Sequence, residues 1–302
     1  MSFEPILLTP EEELREAYPY RRIWRTSWLE VTTLLVVVLA IFVMTNLLSM
    51  LPADLEAPLP KVGIAILPLI VWLIFSYWGE RRAMIRRHGL LKLAILGGLM
   101  ANGIAVPLEE HLFLPEQWLP GTGFFGRALG YAFTVGFTAE FLKYTAIRYT
   151  IWPGRISQRL DGVAYGLAVA LGYALALNLR FALFSDATLL ATALRVASIT
   201  FSQLSLGVVL GFFLGELAIG RTPVFWIPTG LMLAALLSGL YYAFRGIAII
   251  GGLSVEGTGA SPIRGLLLAF GLVAVIFVSF AFIIANADAR MEALGGRRGE
   301  AL

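Results

Sequence analysis

Two charged residues of opposite sign lie inside an apolar run of the chain. The segment AEFLKYTAIRYTIW, residues 139–152, contains Glu140 and Lys143. A charge near the centre of a bilayer costs roughly 2.5 to 3.5 kcal/mol on insertion scales, so such residues usually face a protein interior. Glu140 is a candidate catalytic base or ligand contact. Because residues three apart share a helix face, we favour a structural ion pair with Lys143.

Three more polar residues, Asn178, Gln203 and Ser238, lie in later apolar runs. Each continues a stripe of glycine or alanine at four-residue intervals, such as Gly207 and Gly211. Small residues at this spacing let helix backbones approach closely, and a polar side chain in line with them can hydrogen-bond across the contact. We therefore predict a packed centre in which these three residues form interhelical hydrogen bonds.

The histidines and acidic neighbours do not predict a metal site. Glu109, Glu110 and His111 are adjacent, so on a helix they point in different directions, and we expect solvated surface charge. His88 and His111 lie at opposite ends of one apolar run, about 30 Å apart at 1.5 Å per residue. The chain has no cysteine, which excludes thiolate ligands and thiol catalysis. We predict neither a metal nor a cofactor.

Four arginines, Arg127, Arg180, Arg195 and Arg245, lie toward one end of four apolar runs. Long basic side chains at helix ends usually reach the lipid headgroups or pair with nearby acids. A lipid or anion site is the alternative for these four residues.

The composition identifies the elements that must position these side chains. Of the 302 residues 58% are hydrophobic and 14% are charged, whereas soluble domains are about 25% charged. The net charge is only +3, and the lysines and arginines do not form a continuous basic stripe, so nucleic acid is not an expected partner. An all-α polytopic membrane protein follows, because lipid leaves open backbone groups without partners. Eight spans are predicted, at 29–50, 62–79, 88–108, 124–152, 160–184, 188–219, 224–249 and 264–286.

The flanking segments set the expected domain limits and orientation. Residues 1–28 form a predicted N-terminal segment with a short interfacial helix, which Thr9 and Pro10 would begin. Residues 29–286 form the transmembrane domain, and residues 287–302 form a tail. Lysine and arginine are concentrated in both terminal segments and in alternate loops. We therefore expect both termini in the cytoplasm and the chain in the plasma (inner) membrane.

The stretch from residue 139 to residue 178 resembles the core of the PrsW family of intramembrane proteases, in the CPBP/Aph-like clan. That core combines a Glu-Glu-x-x-Lys helix with an Asp-Gly-x-x-Tyr-Gly helix that ends in Glu-Asn. The matching residues are Glu140, Lys143, Asp161, Gly162, Tyr165, Gly166, Gly172 and Asn178. The resemblance covers about residues 124–245 and implies a PrsW-like fold for this core.

Four positions depart from the family pattern. Ala139 and Leu177 stand where the family has glutamates, and Gln203 and Ser238 stand where it has histidines. Peptide hydrolysis needs a base to activate water and a second acid or a metal to stabilise the developing charge. The resemblance thus implies a degenerate site made of Ala139, Glu140, Lys143, Leu177, Asn178, Gln203 and Ser238. Glu140 would be catalytic only if the chain is active.

These observations favour a pseudoenzyme that acts as a scaffold or accessory subunit of a membrane complex. Its expected partners are membrane lipids and other membrane proteins. The Aph subunit of gamma-secretase, which resembles this clan and scaffolds without cutting, is an analogy for that role. An active intramembrane peptidase with a relocated site and a lipid-handling protein or transporter are the alternatives.

Overall fold

The computed structural model describes residues 58–81, 87–151, 154–156, 159–219, 223–248, 268–280 and 282–283, with isolated positions between 32 and 43. The predicted interfacial helix, most of the first predicted span and the tail lie outside these residues. Within them the chain is helical and contains no strand.

We number nine α-helices from residue 58 onward. They are α1 Pro58–Arg81, α2 Leu90–Met100, α3 Pro115–Trp118, α4 Phe124–Tyr131, α5 Phe137–Thr150, α6 Arg159–Phe184, α7 Leu189–Ile219, α8 Trp226–Ala248 and α9 Leu268–Phe280.

Five described helical segments are long and apolar enough to cross a membrane, and they confirm the all-α polytopic class. They are Pro58–Trp78, Leu90–Gly121, Arg159–Phe184, Leu189–Ala218 and Trp226–Gly246. The predicted total of eight is not confirmed. The predicted span 124–152 is helical as far as Thr150 but, with four charged side chains, is not among the five. The helix α9 is a shorter apolar segment within the last predicted span.

Wide helical turns distinguish the third predicted span from a regular α-helix. After Met100 the helix continues through π-helical turns at Ala101–Ala105 and Leu108–Phe113, and the segment reaches Gly121 instead of ending at residue 108. A third π-helical turn, Ala132–Gly136, joins α4 to α5. Such turns insert an extra residue and therefore rotate the side chains that follow.

The helix α6 lies at the centre and packs against α1, α2 and α7. The contact between α6 and α7 uses the predicted small-residue stripes. A Cβ atom on Gly166 would meet the carbonyl oxygen of Gly207, and one on Gly211 would lie 2.5 Å from the carbonyl oxygen of Gly162. The two backbones therefore touch directly, as the stripes predict.

A second close contact joins α8 to α4 and α5. A Cβ atom on Gly136 would lie 2.6 Å from the carbonyl oxygen of Ala235, and one on Gly239 would meet the carbonyl oxygen of Ala128. The helices α4, α5 and α8 are thus held as closely as α6 and α7. These contacts enclose the centre of the bundle, where Glu140 and Lys143 lie.

Candidate functional site

Lys143 joins two helices at the buried centre. Its Nζ atom donates hydrogen bonds to Glu140 Oε1 at 2.6 Å and to Gln203 Oε1 at 2.8 Å. The exposed fractions of Glu140, Lys143 and Gln203 are 0%, 1% and 1%. One ammonium group therefore ties a carboxylate of its own helix, α5, to an amide of α7, and bulk water reaches none of the three.

Sequence spacing explains why these side chains meet. Glu140 and Lys143 lie three positions apart on one face of α5. Gln203 lies on the stripe of α7 that continues through Gly207, so its amide faces the packed centre. Tyr173 of α6 completes the surroundings, because its ring centre lies 5.5 Å from Lys143 Nζ, within range of a cation–π interaction.

Several polar atoms around the ion pair have no hydrogen-bond partner in the described part of the protein. They are Glu140 Oε2, Gln203 Nε2 and the Tyr173 hydroxyl, all of them buried. Leaving a buried polar atom unpaired costs roughly 1 to 3 kcal/mol, so native proteins usually supply a water or ligand. The arrangement thus holds one oxygen of Glu140 in the ion pair and leaves the other able to accept a hydrogen bond.

The two positions at which the family carries further glutamates lie together in an apolar cluster. Ala139 is 1% exposed and clusters with Tyr173 and with Ala101 and Ala105 of the first π-helical turn, and Leu177 packs against the same cluster. The structure therefore brings these positions next to the tyrosine that lines the ion pair. Methyl and isobutyl groups occupy them.

Asn178 and Ser238 lie beside this centre and make different contacts. Asn178 Nδ2 donates to Thr200 Oγ1 at 3.1 Å, which links α6 to α7. Ser238 is fully buried and packs against Gly136, which lies one helical turn before Glu140. A Cβ atom added to Gly136 would lie 3.1 Å from the Cβ of Ser238. Its hydroxyl has no partner within the described residues.

Two motif residues of the sequence hold the chain before α2 against the start of α6. Asp161 accepts a hydrogen bond from Arg87 Nε at 2.8 Å, and the Tyr165 hydroxyl lies 3.5 Å from the His88 carbonyl oxygen. Asp161 and Tyr165 therefore have contacts that hold two parts of the chain together. Nothing in the spacing of these residues predicts that Arg87 binds Asp161.

The acidic neighbours at the other end of the bundle do not behave alike. Glu110 is exposed and accepts from Arg180 at 2.7 Å through both oxygens, and His111 is exposed. Glu109, which lies in the same π-helical turn, is less exposed than these two neighbours.

Sequence reasoning identified the charged centre but missed Tyr173. The only available signal was a tyrosine among small residues, in the letters LGYALA on a helix whose other face is a glycine stripe. Among the described residues, no three or more His, Asp or Glu side chains are placed together where they could hold a metal ion.

The fold and this buried polar centre define a class: all-α membrane proteins whose central helices enclose an intramembrane ion pair. Protease PrsW of Bacillus subtilis (strain 168) is 25% identical to the chain over 183 residues, which span 60% of the chain and 80% of that protein. The chain is therefore PrsW-like, as its motifs indicated. No protein-family model matches the chain, and no solved structure matches it significantly.

Proposed function

We propose that this PrsW-like membrane protein has lost peptidase activity and serves as a scaffold or accessory subunit of a membrane complex. In this proposal it lies in the plasma (inner) membrane with both termini in the cytoplasm. Lipids and the helices of other membrane proteins are its partners.

The environment of Glu140 is the observation that carries the proposal. Its carboxylate is fully buried and bound to Lys143, whose ammonium group is also bound to Gln203. Within the described residues, no other carboxylate and no imidazole forms an ion pair or hydrogen bond with any of these three side chains. Activation of water and stabilisation of an oxyanion need at least two such groups, or a metal, around the scissile bond.

Two further features support a scaffold role. The helix contacts at Gly166 and Gly136 bring backbone against backbone, which gives a rigid core. One face of the helical run from α4 through the π-helical turn to α5 presents large apolar side chains outward, with Phe125 80% and Phe133 56% exposed. In a membrane such a face meets lipid or the helix of a partner.

A cleavage assay tests the loss of activity. Purified protein in detergent is incubated with a transmembrane peptide that Protease PrsW cleaves, with the Glu140→Gln variant as the matched control. We expect no cleavage above the control. Cleavage by the natural protein that disappears in Glu140→Gln would overturn the proposal.

A working peptidase is the second candidate, and one comparison favours it. The matched relative is named as a protease, and the match spans 80% of its length. Glu140 Oε2 is also unpartnered among the described groups and would be free to accept a proton from water. The cleavage assay separates the two candidates directly.

The scaffold role is tested separately by identifying the proteins that copurify with the chain. Gentle extraction from the native membrane should give a discrete complex larger than the 33.0 kDa chain. A monomer that carries bound peptide would favour the peptidase instead.

A further inference from the structure

Three helices each bring one arginine to the same end of the bundle. Arg127 lies on α4, Arg195 on α7 and Arg245 on α8. Aromatic contacts hold α4 against α8 at this end, because the ring centres of Phe124 and Phe244 lie 5.3 Å apart. The rings of Tyr131 and Tyr242 stack with their centres 5.5 Å apart.

Two of the three guanidinium groups lie against aromatic rings. The Arg245 guanidinium carbon lies 5.5 Å from the ring centre of Tyr242, and that of Arg195 lies 4.2 Å from the ring centre of Phe181. Tyr131, one helical turn after Arg127, stacks on Tyr242, and Ala197, two residues after Arg195, shares an apolar cluster with Tyr241 and Phe244. Like charges are therefore gathered at one place.

Two donors of this group have no partner in the described part of the protein. The Nε atoms of Arg127 and Arg195 are buried and have no hydrogen-bond partner. Neither Nε atom is therefore hydrogen-bonded to Glu109 or Glu116, the acids in the segment before α4. Each guanidinium nitrogen can only donate, so the missing partner must be an acceptor.

Arg180 provides the contrast within the same end of the bundle. It donates to both oxygens of Glu110 at 2.7 Å and therefore has an acid of its own. Of the four arginines that the sequence analysis singled out, Arg180 is thus explained by pairing. The other three form no ion pair with an acid among the described residues.

We propose that Arg127, Arg195 and Arg245 bind the phosphate of a phospholipid headgroup. Arginine suits phosphate because its planar fork of donors matches the phosphate oxygens and its charge persists at the interface. Three arginines outnumber Glu109 and Glu116, the two acids of the segment before α4 that are not paired with Arg180, so the site retains a positive surplus. A lipid is favoured over a free anion because Phe125, next to the Phe124 that packs against Phe244, is 80% exposed and would lie beside the acyl chains.

Lipid binding by the full chain tests the site, whether or not the protein is a peptidase. Protein in mild detergent is titrated with phosphatidylglycerol, diacylglycerol or inorganic phosphate, and binding is followed by native mass spectrometry and by the thermal midpoint. We expect phosphatidylglycerol to bind and stabilise the protein and diacylglycerol to do neither. The double variant Arg127→Gln with Arg195→Gln should weaken phosphatidylglycerol binding by about tenfold or more, since two charge-assisted contacts are lost.

The variant Arg180→Gln is the matched control and should keep its affinity for phosphatidylglycerol. Equal affinity in the double variant and in Arg180→Gln would overturn the site. Equal binding of phosphatidylglycerol and diacylglycerol by the natural protein would overturn it as well, even if the double variant did not fold. If inorganic phosphate binds as tightly as phosphatidylglycerol, the proposal that the bound phosphate belongs to a lipid is wrong.

Discussion

Lys143 Nζ lies 2.6 Å from Glu140 Oε1, and both side chains are wholly enclosed by the protein. The pairing explains how two charged residues can lie in an apolar helix, because each charge offsets part of the cost of burying the other. Gln203 adds a second acceptor for Lys143 from another helix. Lys143 therefore stabilises the buried carboxylate of Glu140 and also holds α5 against α7.

Removing one member of this pair should be worse than removing both. Lys143→Met leaves a buried carboxylate without its cation, which typically costs about 3 to 5 kcal/mol. Glu140→Gln combined with Lys143→Met leaves no charge and should recover much of the loss. Abundance in the membrane fraction and the thermal midpoint in detergent measure both effects. A double variant that is no more stable than Lys143→Met would show that the two residues are not energetically coupled.

The backbone contacts between α6 and α7 predict a second set of effects. Gly166→Leu and Gly211→Leu would force a side chain into the opposing backbone, so the helices must separate. We expect a large loss of folded protein and of any partner that copurifies with it. Gly63→Leu on α1 is the matched control, because a Cβ atom there would have nothing within 4 Å. Equal losses at Gly63 and Gly166 would mean that leucine itself, rather than the crossing, causes the defect.

Contacts of the fold and the candidate site could be predicted from the sequence where they join residues close together in the chain. The pairing of Glu140 with Lys143 follows from a spacing of three on one helix, and the stripes that contain Gly166 and Gly207 follow from periodicity. The bond from Lys143 to Gln203 joins residues 60 positions apart. The stripe predicts that Gln203 faces the packed centre, but it does not specify Lys143 as the partner. The π-helical turns at Ala101–Ala105, Leu108–Phe113 and Ala132–Gly136 could not be predicted either, because they break the regular period on which such reasoning depends.

The ion pair between Arg87 and Asp161 predicts a loss of stability when its carboxylate is removed. Both side chains are largely buried, and Arg87 Nε lies 2.8 Å from Asp161 Oδ1. Asp161→Asn should lower stability by about 1 to 3 kcal/mol, because Arg87 loses a charged acceptor. Chemical or thermal unfolding in detergent measures the change. If Asp161 were instead part of a reaction centre, the variant would fold normally and lose only activity.

The predicted orientation can be tested because the chain contains no cysteine. Single cysteines at Gly121 and Gly154 lie on opposite ends of the segment from α4 to α5, and both positions are exposed. We expect an impermeant thiol reagent to label Gly121→Cys from outside intact cells and to leave Gly154→Cys unlabelled until the cells are opened. The reverse pattern would place both termini outside. A position at Gly257, also predicted to be external, lies outside the described residues.

A carboxylate restored at residue 139 should not restore a catalytic centre. Ala139 is 1% exposed and clusters with Ala101, Ala105 and Tyr173, so a glutamate there must desolvate its charge and displace neighbours. We expect Ala139→Glu to reduce folded abundance and to give no cleavage of a transmembrane peptide. Ala139→Gln has almost the same volume without the charge, so the difference between the two variants isolates the cost of the carboxylate. Stable Ala139→Glu protein that cleaves the peptide, while Ala139→Gln does not, would show that one substitution had inactivated an otherwise competent site.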